Sequence, residues 1–260
     1  MNKNNNTCLL LLAISLFLSG CCSTNRETVY QVSTIDALLQ GLYDGQTTIY
    51  TLKRHGDFGL GTFHALDGEM IVLDGRVYQI RADGVAYLAD DDDTSPFAAV
   101  TFFSADRTLA LPTVTDLSGL VTALDNALDT PNIFYAVRVD GHFSYIKTRS
   151  VPKQQKPYSP LVEVAKDQPT FEFNNVRGTI IGLRCPRFVK GLNVPEWHFH
   201  FITKDRLAGG HLLEVRFEGS EVLAQIDRTS EFHLVLPNSP EFYHLDTDRD
   251  LQDELERVEQ

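Results

Sequence analysis

Short runs of β-branched and aromatic residues, broken by Asp-Gly pairs, dominate this chain. Residues 47–53 read as one strand. Residues 70–73, 77–80 and 85–88 are separated by Asp74-Gly75 and Asp83-Gly84. An Asp-Gly pair supplies the backbone of a tight hairpin turn, so these runs predict a three-stranded meander. Residues 98–103 predict another strand. From 115 to 128 the apolar positions change period, with Leu117, Leu120, Val121, Leu124 and Leu128 at helical spacing and Thr115 as the cap. Residues 133–139 and 142–148 flank Asp140-Gly141 and predict a further hairpin.

Three prolines, Pro152, Pro157 and Pro160, then fall within ten residues. That composition breaks regular structure and marks a candidate junction between two units. Beyond it, strands are expected at 170–174, 177–183, 196–203, 211–217, 221–226 and 232–236. The acidic tail from Asp246 reads as a helix, because carboxylates favour the positive N-terminal end of a helix. No repeat of solenoid period is present.

The N-terminus departs from this pattern. Lys3 precedes an apolar run at 9–18, too short to span a bilayer as a helix and right for a signal-peptide core. The run ends in Leu18-Ser19-Gly20-Cys21, which resembles the lipobox of bacterial lipoproteins. Residues 1–20 are therefore expected to be a signal peptide and 21–28 a linker. The exported protein would be anchored in the cell envelope through lipid on Cys21. Ordinary secretory cleavage nearby would export it as well. Cys22 and Cys185 are too few for a disulfide framework, and Cys185 reads as a small buried side chain. A net charge of −12 lacks the basic footprint that nucleic-acid binding needs. The acidic run at 90–93 lacks the spaced ligands and glycine of a calcium loop and reads as a solvated turn.

The candidate chemistry lies in Glu196-Trp197-His198-Phe199-His200 and Gly209-Gly210-His211. Side chains alternate along a strand, so His198 and His200 share one face while Trp197, Phe199 and Phe201 enter an apolar layer. If the chain returns antiparallel after residues 204–210, His211 sits beside the pair. Three neutral imidazoles around one point form a zinc site with a position left open for substrate. An isolated His-x-His pair is ordinarily a surface or core feature; the third histidine across a hairpin and the flanking aromatics favour a metal site. Glu196 shares the histidine face by parity, as an outer partner or as a solvated strand end.

Several motifs together resemble the α-acetolactate decarboxylase family. They are Gly59-Leu60-Gly61-Thr62-Phe63 with Leu66-Asp67-Gly68-Glu69-Met70, then Lys147-Thr148-Arg149-Ser150-Val151-Pro152, and the segment 187–213 containing all three histidines. The resemblance runs from about residue 30 to the C-terminus. It implies an α/β fold of α+β character, with two domains on mixed β-sheets. With the junction above, these would be a larger N-terminal sheet at 29–150 and a smaller β-rich unit at 151–260 carrying the metal hairpin and terminal helix. It implies Zn²⁺ held by His198, His200 and His211, with Glu69, Arg149 and a C-terminal glutamate as catalytic groups and Thr62 and Arg149 contacting substrate. Glu259 fits the terminal pattern, with Glu256 one turn earlier as the other candidate. The implied reaction is decarboxylation of 2-acetolactate to (R)-acetoin by a homodimer. On this reading the zinc stabilises an enediolate, and Arg149 grips the carboxylate in a protein otherwise rich in negative charge.

Two other readings stay open from the residues alone. One is a cupin-like metal-dependent dioxygenase, which would add a carboxylate ligand. The other is a non-catalytic zinc-binding lipoprotein, with the metal closed by protein ligands.

Overall fold

The structure is a computed structural model that describes residues 27–219 and 221–259. The expected signal peptide and Cys21 lie outside the described residues. In chain order the first strands and helices are β1 (Thr28–Val32), α1 (Ile35–Leu39), β2 (Thr47–Thr48), α2 (Ile49–Lys53) and β3 (Phe58–Thr62). Next come β4 (Glu69–Leu73), β5 (Arg76–Ile80), β6 (Ala86–Leu88), β7 (Thr94–Ser95), β8 (Ala98–Thr101) and β9 (Arg107–Ala110). Then follow α3 (Leu117–Asp125), β10 (Phe134–Arg149), α4 (Leu161–Val164), β11 (Thr170–Cys185), β12 (Glu196–Thr203) and β13 (Gly209–Arg216). The chain closes with β14 (Leu223–Thr229), β15 (Glu231–Val235), α5 (Pro240–Tyr243) and α6 (Gln252–Glu259).

Two large sheets result. The seven-stranded sheet has the order β15-β1-β8-β3-β4-β5-β6 and is mixed, because β15 runs parallel to β1. The six-stranded sheet, β11-β12-β13-β10-β14-β9, is antiparallel throughout. An additional β10–β11 pairing closes β10 to β13 on themselves. Apolar residues of the first sheet (Phe58, Leu60, Ile71, Ala99) meet those of the second (Ala136, Ile181, Leu183, Ile202) in one buried layer. The inside of the second sheet packs Phe143, Phe201 and Phe217 against Leu120 and Leu124 of α3. A third cluster, from α1, α4 and α6, covers one end of both sheets.

The meander at 69–88 forms as the Asp-Gly turns predict, with β4–β5 and β5–β6 antiparallel. Several expectations fail locally: Asp116, whose carboxylate accepts from the Gly119 amide, caps α3 in place of Thr115, and the acidic tail is helical only from Gln252. Residues 47–53 are mostly helix: the Thr48 hydroxyl accepts from the Thr51 amide at 3.2 Å, capping α2, and Ile49 and Leu52 are buried at helical spacing. Asp140-Gly141 makes no turn. Both residues lie inside β10, paired with Thr179 and Gly178 of β11, and the Asp140 carboxylate accepts from Arg138 and Thr179 instead of bending its own backbone. The two strands expected at 170–174 and 177–183 are likewise one, held straight by the same long pairing.

The proline-rich segment does not coincide with the division between sheets. Sheet membership changes between β8 and β9 and returns at β15, so β10 belongs with the histidine strands and not with the N-terminal sheet. Residues 151–160 instead run along the covered end, where the Gln154 amide donates to the Ala65 carbonyl and Val151 is buried against Leu66 and Leu161.

Candidate active site

The registers of the two sheets assemble the site. On β12, His198 and His200 share a face, while Phe199 and Phe201 are buried on the other. Across the β12–β13 hairpin, His200 is paired with His211, and His211 is paired in turn with Arg149 at the end of β10. One row of a sheet therefore carries two imidazoles and a guanidinium. Gly210 makes this approach possible: its φ is +141°, and a Cβ there would stand 2.3 Å from the Arg149 carbonyl oxygen. The first sheet contributes Thr62 and Glu69, directly opposite each other on β3 and β4.

The histidine ligand atoms all lie within 4.8 Å of one another, and the three residues are buried. His198 Nε2 stands 3.1 Å from His211 Nδ1. His200 Nδ1 lies 2.9 Å from the Met70 carbonyl, which accepts only from a protonated nitrogen. That bond leaves Nε2 as the lone pair, and it is buried with no hydrogen-bond partner. The donor set fits a metal of the zinc type: three neutral nitrogens, one with its tautomer fixed by a backbone carbonyl. Among the described residues, no carboxylate belongs to this group of ligand atoms.

Two carboxyls flank it. Glu69 Oε2 is 3.5 Å from His200 Nε2, and Glu259 Oε2 is 3.9 Å from His198 Nε2 and 3.8 Å from His211 Nε2. Glu259 reaches the site because Leu255 and Val258 of α6 bury themselves beside Leu161 and Val164 of α4. Glu256, on the same helix, is exposed and accepts only from Gln252. Of the two candidates, Glu259 is the one that faces the histidines. Glu196, placed on the histidine face by parity, begins β12 with φ +68° and pairs with Arg187 at 2.7 Å in solvent, away from the site.

Burial governs the charges. It pushes His198 down to about 3, with the Arg149 cation adding to the effect. His200 and His211 also fall well below the ordinary histidine range, chiefly through burial. All three are thus ready as neutral ligands. Burial raises Glu69 to about 8, opposed by Arg149 and reinforced by Glu259, and raises Glu259 to about 7 against Arg149. A dication among the imidazoles would draw both carboxyls back toward the ionised form. Arg149 is 3% exposed, and its Nε and Nη1 have no partners.

Glu69, Arg149, His198, His211 and Glu259 line one cavity of about 50 Å³, together with the apolar side chains of Ile35, Leu38, Phe97 and Val151. It has room for a few water-sized groups. A larger cavity of about 570 Å³ on the outer side of α6 is lined by Trp197 and Glu256 and shares Glu259 with the inner one.

A family model described as alpha-acetolactate decarboxylase matches residues 29–249. The chain belongs to this family. It is 52% identical to the alpha-acetolactate decarboxylase of Methanosarcina mazei over 90% of this chain and 80% of that one. To the Bacillus subtilis protein of the same name it is 40% identical, over 89% and 90%. The crystal structure of alpha-acetolactate decarboxylase from Bacillus subtilis strain 168 superposes with a TM-score of 0.86 at 39% identity, covering 89% of this chain and 99% of that one.

Every site residue expected from the family resemblance, Thr62, Glu69, Arg149, His198, His200, His211 and Glu259, lies at this cavity or at the histidine cluster beside it. Sequence reasoning missed Gln168, which also lines the cavity, and the Met70 carbonyl that orients His200. A lone glutamine before a proline carries no signal, and a backbone carbonyl carries none in any sequence.

Proposed function

We propose that this chain is a zinc-dependent acetolactate decarboxylase that converts 2-acetolactate to (R)-acetoin and CO₂. The observation that carries the reading is the convergence of His198, His211, Arg149, Glu69 and Glu259 on one small cavity, with His200 paired to His211 beside it. The substrate is a 2-hydroxy-3-keto acid, so its own ketone accepts the electron pair released with CO₂. Zinc held by His198, His200 and His211 would supply a Lewis acid for the negative charge developing on that ketone oxygen.

The chain's own residues do the rest. Arg149 offers Nε and Nη1 to the substrate carboxylate and fixes the bond that breaks. Thr62 donates its hydroxyl proton to the Gly68 carbonyl at 2.7 Å, so its oxygen is left as an acceptor beside the substrate. The apolar wall excludes bulk water from the enediolate. A protonated carboxyl fixed on one side, from Glu69 or Glu259, supplies the proton that replaces CO₂ on carbon and sets the single enantiomer.

Bound metal and CO₂ release are measured together on purified protein, before and after chelation. Zinc content near one per chain with chelator-sensitive CO₂ release from 2-acetolactate supports the proposal. A zinc-loaded protein that releases none overturns it. Iron in place of zinc, with oxygen consumption, would favour the dioxygenase reading. A metal closed by four protein ligands would favour simple zinc binding.

The same proposal places the enzyme in the cell envelope as a homodimer anchored through Cys21. The lipobox-like Leu18-Ser19-Gly20-Cys21 supports the anchor, and no described helix is long and apolar enough to cross a membrane. Fatty-acid labelling that persists in a Cys21→Ala variant would refute the anchor.

A further inference from the structure

We propose that Gln168 recognises the substrate's tertiary hydroxyl, accepting its hydrogen bond on the side-chain carbonyl. The inference rests on the decarboxylase reading above. Gln168 follows the short 3₁₀ turn Ala165–Asp167 with an extended backbone, φ −73° and ψ 134°. It lies two residues before Thr170, which pairs with Arg149 across β10 and β11. The Ser150 amide donates to the Pro169 carbonyl at 3.1 Å, fixing the segment beside Arg149. Gln168 lines the catalytic cavity, yet its Oε1 is buried with no hydrogen-bond partner.

A buried carbonyl without a donor is costly unless a ligand supplies one. The chemistry of the cavity says which group that is. Its unpaired cationic donors are Nε and Nη1 of Arg149, which suit a carboxylate. Among the described residues its one unpaired uncharged carbonyl acceptor is Gln168 Oε1. The substrate brings two kinds of acceptor, carboxylate and ketone, and a single donor, the hydroxyl at C2. Arg149 then takes the carboxylate, and the hydroxyl is the substrate group able to satisfy Gln168 Oε1, which no protein donor reaches. Gln168 thus distinguishes 2-hydroxy-3-oxo acids from 3-oxo acids that lack the hydroxyl. Sites that hydrogen-bond a substrate hydroxyl discriminate in this way, because the analogue leaves the protein group unpaired.

The test compares zinc-loaded wild type with Gln168→Met, which keeps length and removes the acceptor, and Gln168→Asn, which withdraws it by one methylene. Each is assayed on 2-acetolactate and on 2-methyl-3-oxobutanoate, the same keto acid with hydrogen in place of hydroxyl. The expected result is a roughly tenfold loss of kcat/KM on acetolactate for both variants, the scale of one hydrogen bond. Values on the deoxy substrate stay within about twofold, and zinc content and Tm stay unchanged. Equal losses on both substrates, or no loss on either, overturn the proposal. Zinc-loaded wild type inactive on acetolactate would instead refute the decarboxylase reading itself.

Discussion

Replacing Arg149 separates metal binding from chemistry, because the same cation serves one and opposes the other. Arg149 is 3% exposed, is paired across the sheet with His211 and leaves its Nε and Nη1 without partners. On the proposed reading both nitrogens donate to the substrate carboxylate. Hydrogen bonds involving a charged partner contribute about 1.5–3 kcal/mol each. Losing two removes roughly 3–6 kcal/mol, or about 10²–10⁴ in kcat/KM at 1.36 kcal/mol per factor of ten. Lysine keeps the charge but not the planar fork, so Arg149→Lys belongs at the lower end and Arg149→Met at the upper end.

Metal affinity moves the other way. The Arg149 charge lowers the proton affinity of all three histidines, and it opposes a dication by the same repulsion. Arg149→Met should therefore hold zinc at least as tightly as wild type while losing turnover. Competition with a chromophoric chelator measures the first quantity, and CO₂ release from zinc-saturated protein the second. Either result alone would refute the reasoning: Arg149→Met within fivefold of wild-type kcat/KM, or zinc lost from a folded variant.

Glu259→Gln should reduce kcat by at least about 10², the usual scale for a lost proton-transfer group, whereas Glu256→Gln, altering an exposed side chain bonded only to Gln252, stays within about twofold. Gly210→Ala forces a Cβ to 2.3 Å from the Arg149 carbonyl at φ +141°, and denaturant unfolding should show a loss of at least about 2 kcal/mol. Asp227 is raised to about 7, first by burial, against the Ser104 amide and with Asp106, Glu27 and Asp57 adding. Its folded pKa lies above the unfolded value near 3.9, so it costs stability progressively as pH rises from about 4 to about 7. Asp227→Asn should match wild type below pH 4 and exceed it at pH 8 by about 1–2 kcal/mol, after allowance for solvent screening; thermal melts across that range measure the difference.

The histidine hairpin was legible because its information is local. Parity along β12 and a turn of ordinary length suffice to bring His198, His200 and His211 together. Arg149 and Glu259 were legible only through the family's motifs, since nothing in their neighbourhood states that β10 ends opposite His211 or that α6 folds back over the cavity. The same limit explains Asp140-Gly141. As a dipeptide it favours a turn, but a continuous ladder with β11 outweighs one local preference, and a Cβ on Gly141 would press against Val222 at 2.7 Å. Thr48 shows the converse, where a side-chain cap converts a β-branched run into helix.

What distinguishes the site energetically is where the fold leaves its polar groups unsatisfied. Among the described residues, seven buried side-chain atoms lack a partner, and five belong to Arg149, Gln168, His198 and His200. Away from the site the two remaining orphans are the Thr101 and Thr229 hydroxyls, while groups such as Gln31 and Asn193, in contact at 2.6 Å, and the Ser95 hydroxyl, which donates to Thr62 and Phe97, are paired. Orphaned groups destabilise a native state, so a cluster of them confined to one cavity implies compensation from bound ligands. The atoms specify those ligands in kind: the His200 Nε2 lone pair for a cation, two cationic donors for an anion, and one carbonyl for a hydroxyl. An acidic protein of net charge −12 thereby presents an anionic keto acid with a locally electropositive pocket. On the proposed reading it would do so with a buried arginine and a metal held by the three histidines, without changing the sign of its surface.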